Sequence, residues 1–149
     1  MAHRERNAFL RAGLVAPVVG GVWAGLFFSI AMAANGEGFQ SLSTFALVLA
    51  LTSAYTLAIA LPATWTLGLL WHVMAYRRGW RTLTAYAAFG FVAGSMAALL
   101  IYFLSQATWT AATWIGTFWF GSTGAVIALT GWLIRRPDRD APNPPTAAP

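Results

Sequence analysis

The chain has 149 residues, of which 58% are hydrophobic and 9% charged, and its formal net charge is +5. Soluble domains carry about 25% charged residues, so this composition excludes an ordinary water-soluble domain. The sequence has no cysteine, which excludes disulfides, iron–sulfur clusters and thiol chemistry.

Three long segments lack any charged side chain: 12–36, 38–76 and 82–134. A helix needs roughly 20 apolar residues to cross a bilayer core about 30 Å thick. The first segment therefore holds one span, the second one long or broken span, and the third two spans. This pattern predicts an all-α integral membrane protein whose four-helix bundle occupies residues 1–136.

The first predicted span covers about residues 9–33 and is followed by a turn at 35–38. Its basic start and the Ala31-Met32-Ala33 sequence are similar to a secretory signal. The apolar run is longer than the usual signal core of about 7–15 residues, so we interpret it as a membrane span.

The second predicted span runs from about 43 to 76, with Ser43 or Thr44 as a suitable N-cap. At 1.5 Å per residue this helix is about 50 Å long, which exceeds the bilayer thickness. Pro62 lacks an N–H and clashes with the preceding turn, so we expect a bend there.

The third span is predicted at about 83–104 and the fourth at about 111–134, with a turn at 105–110 between them. After Arg136 the chain is rich in proline and shows no apolar periodicity. This composition predicts a disordered cytoplasmic tail over 137–149.

All nine arginines lie at the ends of the apolar segments, and the sequence has no lysine. If the N-terminus is cytoplasmic, segments 1–11, 77–82 and 135–149 are internal and contain every arginine. The outer turns at 34–42 and 105–110 contain none. The positive-inside rule therefore predicts that both termini are cytoplasmic.

Small residues recur on the predicted spans at the spacing of helix-packing motifs, including two GxxxG sequences. Such residues let helix backbones approach closely in lipid. They indicate tight packing within the bundle, against a protein partner, or both. The residues that we expect in these contacts are Gly21, Gly25, Gly90, Gly94, Gly121, Gly124 and Gly131.

The sequence lacks the usual equipment of membrane enzymes and ion-coupled transporters. No charged residue lies at mid-membrane depth, where pumps and proton-coupled carriers keep one. No phosphate-binding loop, H-E-x-x-H or G-x-S-x-G motif occurs. His3 and His72 are the only histidines, which argues against a metal site with several ligands. We therefore expect no catalytic residue, no metal and no nucleic-acid partner.

Three polar features leave alternatives open. His72 can ligate a haem or a chlorophyll-type pigment, or it can be an interfacial histidine bonded to a carbonyl or headgroup. The hydroxyls of Thr52, Thr56 and Thr64 can line a solute pathway at the bend, or they can bond a neighbouring carbonyl. The arginines at the ends of spans 2 and 4 can bind an anionic lipid headgroup such as that of cardiolipin, or they can act as topology determinants alone. These are Arg77, Arg78, Arg81, Arg135 and Arg136.

Four features occur in a familiar order: Leu61-Pro62, the Arg77-Arg78-Gly79-Trp80 loop, Gly90-x-x-x-Gly94 and the segment 124–138. Over about residues 45–139 the chain resembles small, uncharacterised four-span inner-membrane proteins of Gram-negative bacteria. The resemblance implies a bacterial inner membrane and no activity, so it assigns no functional residue.

Abundant packing residues and absent catalytic ones favour a non-enzymatic accessory or assembly subunit of a larger membrane complex. We expect its partners to be lipids, some of them anionic, and other membrane subunits. Two alternatives are a small channel or facilitator for neutral or weakly polar solutes and a pigment- or haem-binding subunit that uses His72.

Overall fold

A computed structural model describes residues 3–34, 36, 41–106 and 108–137, with side chains described from residue 7 onward. In this part of the chain every regular element is helical. The elements are α1 (His3–Ala34), α2 (Leu42–Ala63), a π-helical turn (Thr64–Gly68), α3 (Leu69–Arg78), α4 (Leu83–Leu104) and α5 (Ala111–Arg135).

Four helices are long and apolar enough to cross a membrane: Asn7–Ala34, Leu42–Arg78, Leu83–Leu104 and Ala111–Arg135. The second of them combines α2, the π-helical turn and α3. The prediction of an all-helical chain with four apolar helices is confirmed. These helices indicate a multi-pass membrane protein.

The helix ends follow local capping chemistry. α2 begins two or three residues earlier than its predicted caps would place it, because the Ser41 hydroxyl accepts a hydrogen bond from the Thr44 N–H at 3.2 Å. The prediction of Ser43 or Thr44 as N-cap is therefore wrong. Thr82 caps α4 in the same way, through the Ala85 N–H at 3.3 Å. α3 ends at Gly79, whose φ of 72° is a conformation that suits glycine.

The predicted tail over 137–149 lies outside the described residues except for Pro137, which is buried. In the outer turn at 34–42, residues 35 and 37–40, which include Glu37, also lie outside them.

α1 occupies the centre of the bundle because one of its faces carries only small side chains. This face is fully buried, and it packs against α2 on one side and α5 on the other. Added Cβ atoms at the adjacent Gly20 and Gly21 would meet Ile127 of α5 and the Ser53 carbonyl of α2, respectively. The face consists of Ala12, Gly13, Ala16, Pro17, Gly20, Gly21, Ala24, Gly25 and Ser29.

α4 and α5 make the closest helix pair in the structure. A Cβ at Gly90 would collide with the Gly124 carbonyl, and a Cβ at Gly94 would collide with the Phe120 carbonyl. The two backbones touch at these positions because neither helix places a side chain between them. Van der Waals packing of this kind stabilises helix pairs where lipid removes the hydrophobic advantage of burial.

The spans are packed in the order α2, α1, α5, α4, and α2 and α4 are not packed along their length. Spans 2 and 3 meet mainly at one end of the bundle, which carries Arg77, Arg78, Arg81, Arg135 and Arg136. We call it the arginine end. The opposite end carries the α1–α2 and α4–α5 connections.

Pro62 lies near the end of α2, and the π-helical turn follows directly. The Thr66 hydroxyl donates a hydrogen bond to the Pro62 carbonyl at 2.8 Å. A side chain therefore satisfies a backbone carbonyl next to the π-helical turn. π-helical turns are rare in proteins, and many of those that occur lie at functional sites.

Candidate functional site: a cleft between spans 2 and 3

A cleft of about 330 Å³ lies between the second and third spans. Its floor is formed by α1 and α5, through residues such as Ala16 and Gly131. Its walls are α2, the π-helical turn and α3 on one side and α4 on the other. The volume is within the range of about 300–1,000 Å³ that is typical of small-molecule sites.

The cleft is elongated along the bundle. On α5 its lining extends from Trp119 to Arg135, which is about 24 Å at 1.5 Å per residue. One leaflet of the bilayer core is about 15 Å deep, half of the full thickness. The cleft therefore extends from the arginine end past the depth of one leaflet.

The lining is almost entirely hydrocarbon and contains several alanine and glycine residues. Thr56, Thr64 and Thr123 line it, but the Thr123 hydroxyl is already bonded to the Trp119 carbonyl at 2.9 Å. Thr52, the third member of the predicted hydroxyl set, does not line the cleft. The structure thus brings together two of the three threonines of the proposed solute pathway.

Aromatic side chains link α3 to α4 at the arginine end. The rings of Trp71 and Phe89 stack with centroids 4.2 Å apart and planes at 7°. The Trp71 ring also contacts the Tyr86 ring edge-on and the Trp80 ring at a tilt. Because α2 and α4 are not packed together elsewhere, this cluster sets the separation of the two walls.

His72 lies in this aromatic region and lines the cleft. Its Nδ1 is 2.7 Å from the Tyr86 hydroxyl, and its ring is 6.1 Å from that of Phe9. The hydrogen bond joins α3 to α4 and holds the imidazole against the cleft wall. Among the described residues, no three His, Cys, Asp or Glu side chains are grouped as metal ligands.

The five predicted headgroup arginines are all at the arginine end, and three of them stack on aromatic rings. Arg81 lies 4.3 Å above the Tyr76 ring, Arg78 lies 5.2 Å from Trp80, and Arg136 lies 5.2 Å from Trp132. The Trp132 N–H donates to the Arg81 carbonyl at 2.9 Å, which ties the loop between spans 2 and 3 to α5. Arg135 lines the cleft.

Two N–H groups in this region are buried and have no hydrogen-bond partner among the described residues. They are Nε1 of Trp71 and Nε of Arg81. A buried donor without an acceptor costs about 1–3 kcal/mol. An acceptor oxygen of a water molecule or a ligand would remove this cost.

The predicted packing glycines fall into two groups. Gly21 and Gly25 contact α2 through Ser53 and Leu49, whereas Gly90, Gly94, Gly121 and Gly124 lie between α4 and α5. A Cβ at Gly131 would come no nearer than 4.0 Å to Ala16. Gly131 therefore faces the cleft and leaves space there.

Sequence reasoning identified His72 but missed the cleft, the π-helical turn and Trp71 as an unsatisfied donor. The small face of α1 was visible in the sequence as small residues repeating at 12–13, 16–17, 20–21 and 24–25. That signal indicates a helix with close neighbours on two sides.

The comparisons with known proteins give no relative for this chain: no protein-family model, no curated protein and no solved structure matches it.

Proposed function

We propose that this chain is a non-enzymatic accessory subunit of a bacterial inner-membrane complex, and that it holds an apolar molecule from the bilayer in the cleft between spans 2 and 3. The cleft is the observation that carries the proposal. Exposed apolar grooves that a protein does not fill with its own side chains mark binding sites.

The polar side chains of the bundle support a binding role over a catalytic one. The Thr117, Thr123 and Thr130 hydroxyls donate to carbonyls one turn back on α5. The indole N–H groups of Trp23 and Trp119 bind across the α1–α5 interface. These groups are engaged in structural bonds, and they form no pair of acid and base in the cleft.

The proposed orientation has both termini in the cytoplasm, because the arginine end then faces inward as the positive-inside rule requires. We further propose that span 2, which contains Pro62 and the π-helical turn, bends there and widens the cleft. The cleft then opens toward the inner leaflet.

The solute-channel alternative has less support, since a water pathway needs a polar lining and the cleft is lined by hydrocarbon. The pigment alternative also has less support, because a bond within the protein explains the presence of His72. The Tyr86 hydroxyl already engages one nitrogen of His72, which accounts for the histidine without a pigment. We therefore propose neither.

Filling the cleft tests the proposal. Ala97 lines the cleft and Ala88 does not, although both are exposed alanines on α4. After purification in mild detergent and organic extraction, mass spectrometry should find a retained apolar molecule in the wild type and in Ala88→Phe, but much less in Ala97→Phe. Equal retention in the two variants would contradict a role for the cleft.

The accessory role has a separate readout in the same preparation. We expect a heterologous membrane subunit to co-purify in stoichiometric amount with the wild-type chain. A stable, lone monomer would contradict the accessory role and leave the cleft result unaffected.

A further inference from the structure

We infer that the occupant of the cleft is one acyl chain of an anionic phospholipid, with the headgroup region accepting hydrogen bonds from Trp71 and Arg81 at the arginine end. This inference rests on the proposed binding function and names its ligand. It is drawn from the polarity of the cleft along its length and from the two unsatisfied donors.

The cleft changes character from one end to the other. Toward Trp119 and Ile101 its lining is apolar, whereas at the arginine end it includes His72, Tyr86 and Arg135. A purely apolar ligand would leave the polar groups at the arginine end without a partner. A polar solute would not match the apolar lining of the rest of the cleft. An amphiphile matches both.

The length favours a linear chain. The lining extends over about 24 Å, which exceeds the depth of one leaflet, about 15 Å. A chain that is anchored at the arginine end and extended into the cleft would fit lengthwise along the span direction. A transmembrane helix is a poor fit, since it is about 10–12 Å wide with its side chains. The Trp71–Phe89 stack joins the two walls where such a helix would leave the membrane.

The two buried donors indicate the chemistry of the head. Trp71 lines the cleft with its Nε1 buried, and the buried Nε of Arg81 belongs to a guanidinium that stacks on Tyr76. The ring of Trp80 lies 5.9 Å from that of Trp71, so the loop that carries Arg81 adjoins the same cluster. Ester carbonyl and phosphate oxygens of a glycerophospholipid are acceptors that lie next to its acyl chains.

The electrostatics favour an anionic head. The described side chains at this end include Arg77, Arg78 and Arg81, and residues 7–34, 36, 41–106 and 108–137 contain no carboxylate. Basic pockets at the ends of membrane helices bind anionic headgroups, and each basic residue near the surface contributes about 1 kcal/mol.

The test uses detergent-purified full-length protein and native mass spectrometry with two lipids that share the same acyl chains. Phosphatidylglycerol is anionic and phosphatidylcholine is zwitterionic. We expect the wild type to bind phosphatidylglycerol at least about tenfold more tightly, which corresponds to about 1.4 kcal/mol.

Conservative variants distinguish the hydrogen bonds of the two donors from the effect of positive charge on lipid binding. Trp71→Phe keeps an aromatic ring for the stack on Phe89 and removes the N–H, and Arg81→Lys keeps the charge and removes Nε–H. Each should weaken phosphatidylglycerol binding by about three- to tenfold, in line with the net value of one hydrogen bond. The matched controls are Trp109→Phe, at the opposite end of the bundle, and Arg11→Lys on α1, whose side chains are exposed. They should change binding by less than about twofold.

Each remaining outcome decides against a part of the inference. Equal wild-type affinity for the two lipids would overturn the anionic head, and this comparison needs no variant to fold. If Ala97→Phe still reduced lipid retention in that case, the proposed cleft function would stand. If neither lipid bound and Ala97→Phe had no effect, both would fail. Binding that is equally sensitive to the variants and to their controls would remove Trp71 and Arg81 from the site.

Discussion

At the scale of single residues, His72 shows how a polar side chain is held in an apolar setting. Its imidazole bonds Tyr86, which is 14 positions away on the next span. The sequence indicates that a histidine lies near the interface, but it does not give the partner. The pairing depends on how α3 and α4 face each other, and no local pattern contains that information.

Gly90 is a residue at which one added carbon should be costly. Gly90→Ala would place a methyl group against the Gly124 carbonyl, in a contact between backbones that cannot move apart without separating α4 from α5. We expect a loss of about 1–3 kcal/mol in the free energy of unfolding, as for other overpacked sites. Thermal unfolding in detergent measures it.

Gly131→Ala is the matched control, because a Cβ there meets nothing nearer than Ala16 at 4.0 Å. The midpoint temperature of its thermal unfolding should stay close to that of the wild type. Equal losses at the two positions would mean that helix flexibility, and not close contact, explains the effect at Gly90.

At the scale of elements, the ends of the helices were largely predictable and their neighbours were not. The third span was expected at 83–104 and the helix is Leu83–Leu104, because Thr82 is a good cap and the chain turns at Ser105. The π-helical turn at Thr64–Gly68 was not predicted. Hydropathy and Pro62 indicate an irregularity, but they do not distinguish a bend from a wide turn.

The loop between spans 2 and 3 is held to α5 by one side chain. The Trp132 N–H binds the Arg81 carbonyl, so Trp132→Phe removes this bond and keeps most of the ring. Loss of a hydrogen bond that stabilises the closed loop by about 1 kcal/mol should raise the open fraction of the loop about fivefold. Limited trypsin digestion should then cleave after the loop arginines about five times faster. Trp109→Phe, an exposed tryptophan at the other end, should not change the rate.

At the scale of the whole molecule, the distribution of charged residues along the chain predicts four apolar helices, whereas the cleft follows from their order in space. α1 and α2, α1 and α5, and α5 and α4 are packed, which leaves spans 2 and 3 apart along most of their length. Hydropathy and charge indicate where each helix begins and ends. The order of packing depends on which small faces meet, and the sequence shows such faces on several helices at once.

The proposed orientation is open to a direct experiment because the chain contains no cysteine. Single cysteines introduced as Ser43→Cys and Thr108→Cys should react with a membrane-impermeant thiol reagent in intact cells. Arg78→Cys should react only after permeabilisation. The reverse pattern would place the arginine end outside and contradict the positive-inside assignment.

The π-helical turn makes one part of span 2 tolerant of a change in chain length. Removing a residue from an α-helix rotates everything beyond it by about 100°, since the helix has 3.6 residues per turn. The turn at Thr64–Gly68 already holds one residue more than an α-helical turn needs, so loss of Leu67 would restore α-helical pairing and keep Trp71 and His72 facing α4. Loss of Val92 from α4 would turn Gly94 away from α5. We expect the first deletion to retain a folded bundle by thermal unfolding and the second to lose it. A protein with this architecture can therefore lose one residue of span 2 at this turn and keep the packing of the helices on either side.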